Sequence, residues 1–179
     1  MSVLTRPRLA GFGIALAIFA LDQLIKYWVR EVIVLRRVGA IEVLPFFDLR
    51  WTENYGVSLG MFTADSMEMR WLLVAITAAI AAVVFVWMLR ERLMGDIVAL
   101  AMVLGGALGN IRDRIGHGFV LDYADLHFGT FRPFLIFNLA DAAITIGVLI
   151  ILARSFLSRE KRPEPESTTP EPAHTPAES

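Results

Sequence analysis

Trp71 to Leu89 carries no charged residue, and an apolar run of that length leaves a chain few ways to fold. About 20 helical residues, each rising ~1.5 Å, cross the hydrocarbon core of a bilayer, where backbone N–H and C=O groups must be satisfied within a helix or a closed barrel. Three further segments are apolar over comparable lengths: Leu9 to Val29, about Ile97 to Ile115, and about Phe134 to Ala153. Of the 179 residues, 56% are hydrophobic, more than a soluble domain usually carries. The expected fold is membrane all-α with four transmembrane helices. Ala75, Ala78, Ala79 and Ala82 in the second span, and Gly105 and Gly109 in the third, have the small-residue spacing that lets helices approach closely.

Between spans one and two the pattern changes. From about Arg30 to Arg70, Val32 to Leu35 and then Ile41, Val43 and Leu44 are expected to form short strands, punctuated by Gly39 and Pro45. Phe46 to Trp51 adds aromatic residues of the kind that sit at a membrane interface, and Asn54-Tyr55-Gly56 signals a turn. A small β-containing segment lying on one membrane surface is expected there. Residues 1–154 form the four-helix domain. Residues 155–179 form a polar tail, whose Pro163 to Ser179 stretch is disordered by composition.

Arg6 and Arg8 ahead of Ala15-Leu16-Ala17 would also suit a cleavable signal peptide. The apolar region before that site is too short, so an uncleaved helix is favoured. Four spans put both termini on one side together with Arg90, Arg92, Arg154, Arg159, Lys161 and Arg162, the cytoplasmic side by the positive-inside rule. Arg30, Arg36, Arg37, Arg50 and Arg70 in the opposite loop vote against it. The net charge of -1, with 17 scattered Lys and Arg residues, gives no footprint for nucleic acid. The absence of cysteine excludes disulfides, thiolate metal sites and cysteine nucleophiles.

Against this apolar background stand Asp22 and Lys26, then Asn110, Arg112, Asp113 and Arg114, then Asp122, Asn138 and Asp141. Ionisable groups at membrane depth cost several kcal/mol, so they are rare without a function. The threading carries all of them toward one leaflet: Asp22 and Lys26 near the end of span one, Asn110 and Arg114 near the end of span three, and Asp122 in the short loop that follows. Asp141 is expected roughly 10 Å into span four at ~1.5 Å per residue. Asp22 and Lys26, like Asn110 and Arg114, are spaced i, i+4, and Asn138 and Asp141 are i, i+3, so each pair shares a helix face. Asp22 with Lys26 is expected to be a structural ion pair, Asp125 to face water, and Arg112 and Asp113 to be interfacial charges or helix-end partners.

If Asp122 and Asp141 meet, like charges in a poorly solvated site push one pKa up, and the pair holds one proton. The charged carboxylate can then take a proton from water while the neutral one donates to a peptide carbonyl. Asn110, Asn138 and Arg114 could hold the carboxylates and a substrate backbone. Other chemistries are weaker. His117 and His127 flank Asp122 and Asp125, but no HExxH helix is present and no rigid element fixes a metal, so no metal or cofactor is expected. Ser58 with Lys26 could form a serine–lysine dyad, although Ser58 sits where a turn wants a small residue. A proton-coupled transporter would relay protons through such aspartates, yet the four spans show no internal repeat.

Gly105-Gly106-Ala107-Leu108-Gly109-Asn110, Asp113-Arg114, Gly118-Phe119-Val120-Leu121-Asp122-Tyr123 and Phe137-Asn138-Leu139-Ala140-Asp141 resemble the successive motifs of the lipoprotein (type II) signal peptidases. Asp22-Gln23 with Lys26, and Asn54-Tyr55-Gly56, are similar to that family's weaker motifs. The resemblance covers about residues 9–154. It implies an aspartic endopeptidase of the bacterial inner membrane, with its site toward the periplasm. Such an enzyme removes the signal peptide from diacylglyceryl-modified prolipoproteins just before the lipidated cysteine. It also implies catalytic roles for Asp122 and Asp141, substrate-binding or supporting roles for Asn54, Gly56, Asn110, Arg114 and Asn138, and inhibition by globomycin-type compounds. Partners would be prolipoproteins and membrane lipids. The chain departs from the family pattern at Val57-Ser58-Leu59, and at Phe134-Leu135-Ile136, where the family often has a proline shortly before the Phe-Asn.

Overall fold

The computed structural model describes residues 5–56 and 67–159. Ser58, the Val57-Ser58-Leu59 departure and residues 160–179 of the tail lie outside the described residues, and residues 155–159, expected to open that tail, are instead the last turn of the fourth membrane helix. Four helices are long and apolar enough to cross a membrane. Helix α1 spans Arg6–Tyr27 and runs on through a wider π-helical turn, Trp28–Val32. After a short α2 (Leu35–Val38) come strands β1 (Ala40–Leu44) and β2 (Phe47–Asn54). Helices α3 (Met67–Arg90) and α4 (Met94–His117), strand β3 (Val120–Leu126) and helix α5 (Leu139–Arg159) complete the order.

Helix α4 is the central post. Its most apolar stretch is 61% buried, against 17% to 22% for the other three, because α1, α3 and α5 all pack on it. Glycine makes that packing possible. A Cβ on Gly105 would stand 2.5 Å from the Ala15 carbonyl oxygen, and one on Gly106 would overlap the Ala140 carbonyl. Small residues at such contacts let backbones approach without lost volume, the main source of helix association in lipid. At the opposite end, Arg154 Nε meets Asp96 Oδ1 at 2.5 Å and so ties α5 to the first turn of α4. The acidic Asp96 there also complements the helix dipole.

The strands form one antiparallel sheet in the order β1-β2-β3. The third strand comes from between spans three and four, so Asp122 lies on a strand where a loop was expected. Val32 to Leu35 is no strand either. The apolar run continues the end of α1, and a left-handed Val34 (φ 54°) turns the chain into α2. That conformation is costly for a β-branched residue. β2 carries an irregularity between Leu49 and Thr52 opposite β3, and such bulges sharpen twist and re-aim side chains.

Asp48 and Asp125 stand directly opposite each other across β2 and β3, an arrangement that repels when both are charged. Arginines offset it. Asp125, expected to face water, is 1% exposed, and it accepts from Arg50 Nε at 3.1 Å and Arg132 Nε at 3.2 Å. His127 Nε2 stands 3.2 Å from Asp48.

Candidate active site

The fourth membrane helix begins at Leu139, five residues later than its apolar run suggests, and the reason is local. Asn138 Oδ1 accepts from the Asp141 N–H at 2.9 Å, while Asp141 Oδ2 accepts from the Asn138 N–H at 3.2 Å. This reciprocal pair is a capping box in Asn-x-x-Asp form. Asp141 therefore lies in the first turn of α5 and not 10 Å deep. The other first-turn N–H groups, which a helix cannot satisfy itself, find partners on other elements. Leu139 N–H donates to the Tyr123 hydroxyl at 3.3 Å and Ala140 N–H to Asp22 Oδ1 at 3.1 Å.

Strand β3 brings the second carboxylate to the same place. Phe137 pairs with it through Ala124 N–H to Phe137 O at 2.8 Å and Phe137 N–H to Ala124 O at 3.1 Å, which sets Asn138 beside Asp122. Asn138 Nδ2 donates to Asp122 Oδ1 at 2.7 Å. From β2, Asn54 Nδ2 donates to Asp122 Oδ2 at 2.9 Å, and its Oδ1 accepts from the Gly56 N–H at 2.8 Å. That Asx-turn needs the left-handed backbone of Gly56 (φ 85°). From α4, Asn110 Nδ2 donates to Asp141 Oδ1 at 2.8 Å. Three asparagines thus hold two carboxylates, and Asn138 touches both.

Asp122 is 2% exposed. Burial first, and the charge of Asp141 second, raise its pKa to about 6, against the pull of the Asn54 and Asn138 donors. The nearby Tyr123 hydroxyl is pushed up by burial as well and stays protonated. Arg114 approaches without pairing: its Nε is buried with no partner among the described residues, and its Nη2 lies 3.5 Å from where a Gly56 Cβ would stand. An apolar groove of about 280 Å³ opens beside Asp141, lined by Phe134, Leu135, Phe137, Ala142, Thr145 and Ile146.

Beneath the pair lies a buried ion cluster. Lys26 Nζ stands 2.9 Å from Asp22 Oδ2 and 2.9 Å from Asp113 Oδ2, and it donates to Asn110 Oδ1 at 3.2 Å. Asp22 and Lys26 are an ion pair as expected from their spacing. Asp113, expected to be interfacial, is instead 1% exposed and completes the cluster. It accepts from the Leu121 N–H at 3.3 Å, just as Asp22 accepts from Ala140. The two carboxylates hold the backbone of the residues preceding Asp122 and Asp141, and Lys26 orients the amide of Asn110.

Sequence reasoning gave no site role to Asp113, Tyr123 or Glu53. Glu53 accepts from the Tyr55 hydroxyl at 2.8 Å and Trp51 Nε1 at 3.1 Å and pairs with Arg36 at 3.4 Å. Tyr55 chiefly holds its carboxyl below the usual range. The signal was strand alternation, which puts residues 51, 53 and 55 on the face opposite Asn54. His117 and His127 do not converge on Asp122: His117 Nε2 meets Arg30 Nη1 at 2.8 Å and His127 meets Asp48.

A sequence profile described as signal peptidase (SPase) II matches residues 14–157. The chain belongs to the signal peptidase II family. A lipoprotein signal peptidase of Rhizorhabdus wittichii is 55% identical over 152 residues, covering 85% of this chain and 88% of the relative. One of Vibrio vulnificus is 38% identical over 150 residues, covering 83% and 89%. Two solved structures, each described as a bacterial membrane enzyme determined by the in meso method, share the fold. The first has a TM-score of 0.69 at 26% identity, covering 89% of this chain and 94% of its own. The second has 0.70 at 28%, covering 82% and 92%. This signal peptidase II is a multi-pass membrane protein.

Proposed function

We propose that this chain is an aspartic endopeptidase that removes the signal peptide from diacylglyceryl-modified prolipoproteins, cleaving before the lipidated cysteine. The observation that carries the reading is Asn138, whose side chain donates to Asp122 and whose backbone N–H donates to Asp141. One residue therefore positions two carboxyls at the sheet end of the bundle, beside an apolar groove.

Asp122, the more deeply buried, holds the proton and donates it to the scissile carbonyl oxygen. Asp141, ionised and steadied by Asn110 and the Asn138 N–H, takes a proton from the attacking water. Collapse of the tetrahedral diol returns a proton from Asp141 to the leaving nitrogen and one from the diol to Asp122. Asn54, Asn110 and Asn138 hold the carboxyls, Gly56 shapes the turn, and Arg114 offers donors to the substrate backbone. The site faces the periplasmic leaflet of the bacterial inner membrane with both termini cytoplasmic, and globomycin-type inhibitors compete at the aspartates.

The test is cleavage of a lipid-modified precursor by the native chain, Asp122→Asn and Asp141→Asn. Cleavage should vanish in both variants while thermal unfolding remains cooperative. A variant that still cleaves at a comparable rate sinks the aspartate mechanism.

A further inference from the structure

A second groove, of about 440 Å³, runs along the other side of α4. Its walls are Phe12, Leu16 and Phe19 of α1 and Ala78, Ala82 and Phe85 of α3, and its floor is α4 at Leu104, Leu108 and Ile111. It exists because α1 and α3 each pack on α4 but scarcely touch one another. The Phe12 and Phe85 rings, 5.9 Å apart, close it at the end away from the sheet. None of the residues around the aspartate pair lines it.

At the sheet end, each of its three helices supplies an arginine. Arg30 follows the Phe12-Phe19 stripe of α1 and meets His117 at 2.8 Å. Arg112 lies one turn beyond Leu108, and its guanidinium folds over Gly116, where a Cβ would collide with it. Both guanidinium charges act on the His117 ring. Arg70, on α3, donates to the Ile115 carbonyl, and its Nε is buried without a partner among the described residues.

Cations favour a helix C-terminus, which accounts for Arg70. It does not account for Arg112, which has no ion pair among the described residues, nor for Arg30, whose one carboxylate partner among the described residues is Glu31 at 3.0 Å. An apolar slot closed at depth and ringed by positive charge at its mouth matches an anionic lipid. Tyr27 and Trp28, exposed beside the mouth, are residues that settle at headgroup level.

We infer that the groove between α1 and α3 holds an acyl chain of an anionic phospholipid, whose phosphate is bound by Arg30 and Arg112. The slot spans about 10 Å of helix from Leu104 to Ile111 at ~1.5 Å per residue, enough for the inner half of an ordinary acyl chain.

The full chain, purified in detergent, is offered equimolar phosphatidylglycerol and phosphatidylcholine with identical chains, and retained lipid is counted by native mass spectrometry. Retention should favour phosphatidylglycerol roughly thirtyfold, the scale expected for two interfacial arginines at about 1 kcal/mol each. Arg30→Gln with Arg112→Gln should bring the ratio near one, and Ala82→Phe, which fills the slot, should lower retention of both lipids. Thermal midpoints in phosphatidylcholine establish that each variant folds, and Arg112→Gln alone replaces the double variant if that one does not. Equal retention by the native chain, an unchanged ratio in the arginine variant, or displacement of phosphatidylglycerol by chainless glycerol phosphate would overturn the site.

Discussion

Asn138 meets the aspartates through three different groups: its amide nitrogen on Asp122, its amide oxygen on the Asp141 N–H, and its own N–H on the Asp141 carboxylate. Because it sits between them, the carboxyls are held near each other whether or not both are charged. The consequence for Asp122 is a pKa of about 6 against an ordinary value of 3.8. A raised carboxyl means that the folded chain binds the proton more tightly than the unfolded chain. The stability this contributes is complete below about pH 3.8 and is lost as pH rises through about 6. Two outcomes follow. On the proposed mechanism the catalytic step needs the proton held by Asp122, so kcat/KM should fall about tenfold per pH unit above about pH 6 in the free enzyme. The melting temperature of Asp122→Asn, taken relative to the native chain, should climb between about pH 4 and about pH 6 and level off above about pH 7, since the proton that the native carboxyl holds more tightly when folded is lost over that interval. A pH-independent difference in unfolding would mean that Asp122 is not the group that holds the proton.

At the scale of elements, the buried cluster acts as a joint between α1, α4, β3 and the start of α5. Lys26→Met would leave Asp22 and Asp113 buried together without a cation. Breaking a buried pair in this way costs about 3–5 kcal/mol, so urea or thermal unfolding in micelles should register a loss of that size. Gly109 tests the same joint sterically. A Cβ there would stand 2.5 Å from Asp22 Oδ2, whereas one on Gly13 would meet nothing. Gly109→Ala should lower both stability and cleavage, while Gly13→Ala should leave cleavage intact and gain about 0.5–1 kcal/mol from helix propensity.

These elements were legible in the sequence to very different degrees. The spans were visible because a charge-free run such as Trp71 to Leu89 has one physical interpretation, and Asp22 with Lys26 because a fixed helical spacing implies contact. Strand β3 was not, since Val120 to Leu126 contains three residues with polar groups, Asp122, Tyr123 and Asp125, whose burial depends on partners far away in the chain. Phe134 to Phe137 looked like span because its residues are apolar, although the Asn138 capping box announces the true helix start. Asp125 looked solvated because Arg50 and Arg132 reach it only through the tertiary fold.

For the whole molecule, the division of labour is between a bundle that needs only lipid and close helix packing, and a site that also needs the sheet. Asn54, Asp122, Asn138 and Asp141 come from segments that the helices alone do not bring together. What joins them is the β2–β3 register and the Phe137 bridge, where Ala124 both donates to and accepts from Phe137. Ala124→Pro removes the donor at that bridge: β3 ends the sheet, but its N–H at Ala124 is spent on the Phe137 carbonyl and does not face solvent, where an edge strand would tolerate proline. The four membrane helices should survive, because their contacts lie on α4 and do not involve Ala124. The expected result is helical circular dichroism within about a tenth of the native signal and cleavage reduced by about a hundredfold or more, the scale of a small misplacement of catalytic groups. If cleavage instead persisted while the sheet amides exchanged freely with solvent, the two aspartates would be held by their helices alone, and the sheet would have some other purpose.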